Sequence, residues 1–322
     1  MIVRPVCVIG LGLIGGSLLR AAAAAGRQVW GATLSTVDAE AAVSDGFLVE
    51  SRVDKAVAMA RERDAIVVVA VPLPAVDQTL STIARHAPDC LLTDVVSVKG
   101  PVDEAVRRFT TRVRYVGGHP MAGTSASGWE AGSDGLFHDA SWVLTVEDET
   151  DLSAWRDVAQ LVLECGAQAV PTSVAAHDDA VARISHLPHV LAAVLAAVGA
   201  DGGTLALALA AGSYRDGTRV AGTRPELVRA MCEGNRAPLL DAVDDALGRL
   251  GAARGALAST GSLGATLEAG HQAWNQLQEY RTTARPKARI DLSAPDAREA
   301  LLALGARGGR VIGVDGDFVI TG

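Results

Sequence analysis

Short, mainly apolar runs recur through the first half of the 322-residue chain. Val6–Ile9 is a β-branched run that leads directly into Gly10, and residues 13–25 are rich in alanine and leucine, as is typical of a helix. Residues 28–32 predict a second strand, residues 65–71 form a nearly continuous valine run, and further short, mainly apolar runs occupy residues 90–96 and 113–116. Runs that are apolar at every position are typical of strands covered on both faces. The pattern predicts an α/β fold with a doubly wound parallel sheet, to which residues 142–146 and 167–171 add edge strands.

The pattern changes at about residue 175. From there to about residue 281 the strand pattern is absent, and alanine- and leucine-rich segments predict an all-helical domain. Residues 176–200 are apolar on more than one face, which a small helical domain cannot cover by itself. A second copy of the chain would cover this surface, so we expect the helical domain to form a homodimer.

The end of the chain shows a third pattern. Pro286 ends the helical region, residues 296–304 predict a short helix, and two apolar segments flank Asp315 and Gly316 as in a β-hairpin. Such a short α+β tail cannot hold a core of its own, so we expect it to pack on the main body or on a partner chain. The predicted domain boundaries are 1–174, 175–283 and 284–322.

A glycine-rich turn connects the first predicted strand to the first helix. Its GxGxxG pattern consists of Gly10, Leu11, Gly12, Leu13, Ile14 and Gly15. The glycines of this pattern permit a tight turn and the close approach of a pyrophosphate, which lies at the positive end of the helix. Because the turn follows a strand and opens a helix, we predict a Rossmann-type dinucleotide-binding domain over residues 1–174. We assign Val71 and Pro72, at the end of a later strand, to the same cofactor site.

The acidic residue that usually follows the second strand of such a domain is missing. An Asp or Glu there accepts a hydrogen bond from the ribose of NAD, whereas this chain has Thr33 and, two residues later, Ser35. Both hydroxyls are candidate cofactor contacts, and Ser35 is equally a candidate helix cap. Hydroxyls can donate to the 2′-phosphate of NADP, but no adjacent arginine matches its charge. We therefore expect NAD or NADP as cofactor, with NAD slightly preferred.

Composition and charge exclude several other classes of protein. Apolar residues make up 49% of the chain and charged residues 20%, which is typical of a globular protein with a packed core. The net charge of -8 and the lack of a long basic run argue against a nucleic-acid partner. The four cysteines form no CxxC pair, so we predict neither a disulfide framework nor a metal site. Glycines and Arg20 interrupt the apolar N-terminal stretch before it reaches the length of a membrane span. We expect a cytoplasmic protein without membrane contact.

Polar segments near predicted strand ends carry the candidate chemistry. Ser97 follows a predicted strand, at the sheet edge where ligands bind in open α/β folds, and a turn or helix-cap residue is the alternative. His119 is held between glycines and a proline in a predicted loop, which favours a functional role over a packing role. In the helical domain His186 and His189 share a helix face, and their spacing favours a core or substrate-pocket role over a metal site.

Two more candidates lie further along the helical domain. Arg219 follows a segment of small residues and can hold a carboxylate through two parallel hydrogen bonds, with a surface salt bridge as the alternative. We expect the neighbouring Asp216 to orient an arginine. Asn235 is either a neutral pocket residue or an amide in the interior of a helix.

Together these segments resemble the prephenate dehydrogenase family. The resemblance extends over about residues 5–280, in the order and at the spacing of the family, and its most specific parts are GHPMAGT at 118–124 and SHLPH at 185–189. Two positions depart from the family pattern. Thr33 replaces the acidic cofactor residue, and Val228 stands where many members have a tryptophan.

The resemblance implies an NAD- or NADP-dependent enzyme of tyrosine biosynthesis that oxidatively decarboxylates prephenate to 4-hydroxyphenylpyruvate. It implies that His119 accepts the proton of the substrate hydroxyl, with Ser97 as its partner. The implied substrate pocket contains His186, Thr124, Asn235 and Arg219, the last as the carboxylate clamp. Arogenate carries an ammonium in place of the keto group and is the alternative substrate, although the neutral amide at position 235 favours prephenate. The glycine turn and the helical second domain also fit a β-hydroxyacid dehydrogenase, an imine reductase or a dinucleotide sensor without turnover.

Overall fold

The chain forms two compact units. The computed structural model describes residues 3–110, 113–124 and 126–322. The first unit spans Met1–Asp178 and Lys287–Gly322, and the second spans Asp179–Pro286. The last part of the chain therefore returns to the unit in which the chain begins.

A parallel sheet forms the centre of the first unit. Within the described residues its strands are β1 (Val6–Ile9), β2 (Val29–Ala32), β3 (Val49–Glu50), β4 (Ile66–Val69), β5 (Leu91–Asp94) and β6 (Arg114–Val116). The connecting helices are α1 (Leu13–Ala24), α2 (Thr36–Ser44), α3 (Val53–Glu62), α4 (Val76–His86) and α5 (Gly100–Phe109). The strands lie in the order β3-β2-β1-β4-β5-β6, and all pairs are parallel. This is the strand order of the doubly wound dinucleotide-binding fold, so the predicted fold class is confirmed.

Helices cover both faces of this sheet, which explains its apolar strands. Val6 and Val8 of β1 point into one hydrophobic cluster, whereas Cys7 and Ile9 point into the other. All four side chains are at most 1% exposed. A strand buried on both faces gains stability from every apolar side chain, so alternation of apolar and polar residues is lost.

A second sheet of mixed direction also belongs to the first unit. Its described strands are β7 (Gly118–Pro120), β8 (Ser141–Thr145), β9 (Gln168–Thr172), β10 (Ala288–Asp291), β11 (Val311–Asp315) and β12 (Phe318–Thr321). They lie in the order β10-β12-β11-β9-β8-β7, and only β8 and β9 are described as a parallel pair. The sequence predicts that segments 142–146 and 167–171 extend the edge of the first sheet. In the structure they belong to the second sheet instead. The chain leaves β6 through Gly117, and β7 pairs with β8, which starts a new sheet.

Helix α6 (Leu152–Glu164) contacts strands of both sheets. It packs on β6 of the first sheet and on β9 and β11 of the second. Its buried face includes Trp155, Val158 and Val162, each at most 1% exposed. This apolar face holds the two sheets of the unit together.

The second unit is helical, as predicted. It begins within α7 (Val174–Val181), which continues through one π-helical turn, Ala182–His186, into α8 (Leu187–Asp201). The other helices are α9 (Gly203–Ala208), α10 (Gly212–Thr218), α11 (Pro225–Gly234), α12 (Arg236–Ser259) and α13 (Gly264–Thr282). The first unit ends within α7, at Asp178, and the predicted boundary is at residue 174.

Many apolar side chains of the second unit are exposed. On α8, α12 and α13 they include Leu191, Val194, Val198, Leu247, Leu250, Leu257, Leu267, Trp274 and Leu277. By length and composition one helix of the described residues, Val174–Asp201, is apolar enough to cross a membrane, and most of it is not buried. Exposed apolar surface of this extent is typical of an interaction face.

The C-terminal tail is part of the second sheet. Helix α14 (Ala297–Ala306) and the hairpin of β11 and β12 bury Leu301, Val311 and Val319 completely. β11 pairs with β9, and Arg310 Nη1 donates to Gln168 Oε1 at 2.9 Å. Residues 284–322 are predicted to form a separate extension, whereas in the structure the tail belongs to the first unit from Lys287 onward. A tail of this length obtains a core only by sharing one.

Candidate active site

The glycine turn lies between β1 and α1 at the carboxyl edge of the first sheet. Gly10 has a φ of +101°, and a Cβ at this position would collide with the carbonyl oxygen of Ala70, just after β4. A Cβ at Gly15 would overlap the carbonyl oxygen of Gly10. The packing of the turn against β4 therefore explains these two glycines.

Gly12 is different, because packing within the protein does not explain it. Its φ of −75° is open to any residue, and apart from Gly12 itself, its chain neighbours and the adjoining helix backbone no described atom lies within 4 Å of a Cβ built there. Gly12 precedes α1, whose first turn has no side-chain cap and whose first N–H groups lack intrahelical partners. The missing side chain leaves room at a helix N-terminus, where a pyrophosphate binds. The turn therefore fits a dinucleotide.

The other residues of the turn contribute in different ways. Leu11 is fully buried, so only its backbone is available to a ligand. Leu13 and Ile14 are half-buried in the first turn of α1. Val71 and Pro72 follow β4, the hydrogen-bonded neighbour of β1. The structure thus brings the predicted residues of the turn and of β4 to one sheet edge.

Two hydroxyl groups follow β2 at the same edge. Thr33 Oγ1 accepts a hydrogen bond from the Ser35 backbone N–H at 3.2 Å, and Ser35 Oγ caps α2 by accepting from Asp38 N at 3.2 Å. The cap role of Ser35 is thus realised, and each hydroxyl still has its own proton to donate. The Asp38 carboxylate accepts from the backbone N–H of Trp129 at 2.7 Å. This acid is therefore engaged within the protein.

Ser97 lies in the loop from β5 to α5, next to a buried ionic cluster. Lys99, with 0% of its side chain exposed, pairs with Asp94 and donates from Nζ to the Gly118 carbonyl oxygen at 2.6 Å. The Asp94 carboxylate also accepts from the Tyr115 hydroxyl at 2.7 Å. Burial lowers the pKa of Lys99 and, together with the adjacent carboxylate, raises the pKa of Tyr115. The cluster connects the Ser97 loop to β7.

His119 lies in the middle of β7, a short edge strand, and not in the predicted loop. It is opposite Val143 of β8, and its side chain is half-buried. The preceding Gly118 approaches β5 so closely that a Cβ would collide with the carbonyl oxygen of Asp94. Glycines at 117 and 118 therefore permit a strand where their composition suggests a loop.

A second histidine contacts the His119 ring. His119 Nδ1 and His177 Nε2 are 2.9 Å apart, and His177 Nδ1 is 2.7 Å from Asp178 Oδ1. Asp178 in turn accepts hydrogen bonds from the backbone N–H groups of Lys99 and Gly100, each at 2.8 Å. Burial alone would raise the pKa of Asp178, but these hydrogen bonds and the adjacent His177 lower it overall. The carboxylate therefore stays ionised.

In the second unit the structure brings His186 and Asn235 together. The side chains are 0% and 3% exposed, and Asn235 Nδ2 donates to His186 Nδ1 at 3.1 Å. Asn235 lies at the junction of α11 and α12, whereas the sequence leaves open an amide in a helix interior. His189 Nδ1 lies 2.8 Å from the carbonyl oxygen of Ser185 one turn earlier.

The remaining predicted residues are exposed. Arg219 begins a 3₁₀ turn, Arg219–Gly222, and none of the described acidic residues forms an ion pair with it. The salt-bridge alternative for Arg219 is thus not found in the described part of the chain. Contrary to expectation, Asp216 forms no ion pair with an arginine among the residues that the structure describes. In the first unit Thr124 Oγ1 accepts from Ala126 N at 3.2 Å.

Sequence reasoning misses His177, Asp178 and the charged cluster beside Ser97. A lysine five residues after an aspartate in an otherwise apolar segment is the one available signal, since a buried lysine requires a partner. The described residues contain no group of three or more His, Cys, Asp or Glu side chains that could hold a metal ion. Cys90 and Cys165 are buried, which raises the pKa of each thiol to about 12 and disfavours the reactive thiolate.

Two family models match the chain. The first is described as the nucleotide-binding domain of prephenate dehydrogenase and matches residues 17–171, directly after the glycine turn. The second is described as the dimerization domain of prephenate dehydrogenase and matches residues 173–266. Together they span most of both units.

Individual relatives agree with these matches. The prephenate dehydrogenase of Bacillus subtilis is 35% identical over 247 residues, which are 73% of this chain and 65% of that enzyme. The chain thus spans slightly less than two thirds of that relative's length. The cyclohexadienyl dehydrogenase of Zymomonas mobilis is 33% identical over 270 residues, which are 80% of this chain and 89% of that enzyme. A Corynebacterium glutamicum structure provisionally named as a prephenate dehydrogenase is 46% identical, covers 96% of this chain and 99% of its own, and superposes with a TM-score of 0.91. This chain therefore belongs to the prephenate dehydrogenase family.

Proposed function

We propose that the protein is a prephenate dehydrogenase that oxidatively decarboxylates prephenate to 4-hydroxyphenylpyruvate in tyrosine biosynthesis. The observation that carries this proposal is the hydrogen-bonded His119 imidazole in the GHPMAGT segment, in the same unit as a glycine turn that fits a dinucleotide. The names of the curated relatives and of both family models support it.

The proposed reaction requires a group that exchanges one proton with the substrate. The ring hydroxyl of prephenate is para to a quaternary carbon that bears a carboxylate. When a nicotinamide cofactor is bound, its ring supplies the hydride acceptor. His119 accepts the hydroxyl proton as the hydride leaves, and it returns a proton to that oxygen when carbon dioxide departs and the ring becomes aromatic. Ser97 hydrogen-bonds to the same hydroxyl.

Residues of the second unit complete the proposed specificity. Arg219 binds a substrate carboxylate, because its guanidinium matches two carboxylate oxygens. Asn235 and His186 provide a neutral, hydrogen-bonded pair, and a neutral amide does not select the ammonium of arogenate. Thr124 is the substrate contact that we propose from the first unit.

We further propose NAD or NADP as cofactor, a homodimer formed through the exposed apolar helices, and a cytoplasmic location. The dimerization-domain match supports the homodimer. Neither a nucleic acid nor a membrane is part of the proposal.

An assay of two substrates with two cofactors tests the function. Prephenate with NAD should increase absorbance at 340 nm and release carbon dioxide and 4-hydroxyphenylpyruvate in equal amounts. Faster turnover of arogenate would change the substrate assignment. Absence of turnover in all four combinations, with cofactor binding intact, would contradict the function and favour a dinucleotide sensor.

For the substrate clamp, we expect Arg219→Ala to raise KM for prephenate roughly 10- to 100-fold, because hydrogen bonds to charged groups contribute about 1.5 to 3 kcal/mol. Arg219→Lys should recover part of this loss, since an ammonium keeps the charge but lacks the planar fork. Cofactor KM and Tm should stay unchanged in both variants. An unchanged prephenate KM in Arg219→Ala would exclude the clamp.

For the cofactor, we expect the wild type to reduce both NAD and NADP. Thr33→Asp should lower kcat/KM with NADP by at least about tenfold and preserve it with NAD, because a carboxylate repels the 2′-phosphate. Thr33→Ser keeps the hydroxyl and serves as the control. If the wild type already rejects NADP by more than about a thousandfold, Thr33 does not determine the preference.

A further inference from the structure

The environment of His119 determines more than its position. Its Nδ1 atom faces His177 Nε2 at 2.9 Å, and the far side of the His177 ring faces Asp178 at 2.7 Å. The His177 side chain is 1% exposed and that of Asp178 is 9% exposed. The two imidazole planes meet at 75°, with centroids 5.1 Å apart, so this is an edge contact through nitrogen and not a stacked pair.

The direction of the hydrogen bonds follows from the carboxylate. Ionised Asp178 only accepts, so His177 must donate to it from Nδ1. A neutral His177 then has its lone pair on Nε2, and it accepts the Nδ1–H of His119. In the neutral ring of His119 the remaining lone pair is on Nε2.

We propose that His177 and Asp178 are positioning residues that hold neutral His119 in the tautomer with its lone pair on Nε2, so that this atom accepts the substrate proton. The hydrogen bonds that run from His119 through His177 to Asp178 also stabilise the imidazolium that forms when His119 is protonated. The Nδ1–H of His119 then donates more strongly to His177. This inference rests on the proposed function for the identity of the proton donor, whereas the tautomer is a property of the protein alone.

Other charged groups lie around this chain. Lys99 and Asp94 form a buried ion pair, and the Tyr115 hydroxyl donates a hydrogen bond to the Asp94 carboxylate. The negative charge of Asp103 on α5 favours the protonated forms of both Lys99 and Tyr115, which by itself raises the pKa of each group. Asp178 also accepts the N–H groups that open α5, so a capping role for this residue exists beside the positioning role.

Two substitutions of His177 separate positioning from packing. In His177→Asn the amide nitrogen takes the place of Nδ1, so the bond to Asp178 is kept while the acceptor for His119 is lost. In His177→Gln the amide oxygen can take the place of Nε2 as the acceptor. We expect kcat to fall about 10- to 100-fold in His177→Asn, the range for losing a hydrogen bond to a group that becomes charged, and to recover at least in part in His177→Gln.

The pH profile provides a second measurement. The acid limb of kcat/KM should move to lower pH in Asp178→Asn, because an imidazolium without the anion behind it loses its proton more easily. Cofactor affinity and Tm of each variant show whether it is folded. Equal losses of kcat in the two His177 variants, or an acid limb that stays in place in Asp178→Asn, would overturn the inference.

Nitrogen-15 NMR of the imidazole rings tests the tautomer without turnover. In the full-length protein at neutral pH, both His119 and His177 should have a protonated Nδ1 and an unprotonated Nε2. The signals are assigned from His119→Asn and His177→Asn. A protonated Nε2 on neutral His119 would overturn the inference even if prephenate is turned over. Failure of prephenate turnover together with the expected tautomer would contradict only the proposed function.

Discussion

Replacing His119 with asparagine should lower kcat with prephenate on the order of 10²- to 10⁴-fold, the usual contribution of a general base. Asparagine keeps an amide group near the position of Nδ1, next to His177, but has no basic atom that corresponds to Nε2. Affinity for NAD, measured by fluorescence or calorimetry, should stay the same. The glycine turn follows β1 of the first sheet, whereas His119 lies on β7 of the second sheet. Steady-state assays with saturating cofactor measure the loss directly.

His138 provides a matched control for the His119 substitution. It is outside the hydrogen-bond chain of His119, so His138→Asn should preserve turnover with prephenate. In the wild type kcat/KM should rise with pH, because only neutral His119 can accept a proton. A His119→Asn variant that retains near-normal turnover would remove this residue from the mechanism.

The sequence predicts the first sheet well because burial leaves a direct trace there. Strands covered on both faces are mainly apolar, and the glycine turn marks the start of the first helix. The second sheet is harder to predict because its strands come from distant parts of the chain. Nothing local in residues 311–315 specifies pairing with β9, more than a hundred residues earlier.

The candidate site was predictable to a similar degree. Single residues with distinctive chemistry, such as His119 and Arg219, stand out within their segments. His177 does not, because its role depends on a contact with a ring 58 positions earlier. The strand conformation of His119 was equally hidden, since it depends on the close approach of Gly118 to Asp94, a tertiary contact that overrides local preference.

Removing one partner of the buried pair of Lys99 and Asp94 should strongly destabilise the protein. Their side chains are 0% and 1% exposed, so neither charge is solvated by water. Lys99→Met removes the ammonium but preserves the length of the side chain, and it leaves the carboxylate buried with its hydrogen bonds from Val96 N and the Tyr115 hydroxyl. Breaking one half of a buried pair costs about 3 to 5 kcal/mol. We expect this loss in the free energy of unfolding, measured by urea denaturation.

Two comparisons show whether the loss arises from the uncompensated charge. Lys55→Met on the exposed face of α3 should change the free energy of unfolding by no more than about 0.5 kcal/mol. In Lys99→Met with Asp94→Asn the isolated charge is gone, so the double variant should be more stable than the sum of the single losses predicts. If Lys99→Met costs less than about 1 kcal/mol, the ammonium does not stabilise the buried carboxylate. Since Lys99 also donates to Gly118, the residue before His119, loss of this donor should lower kcat with prephenate even where the variant remains folded.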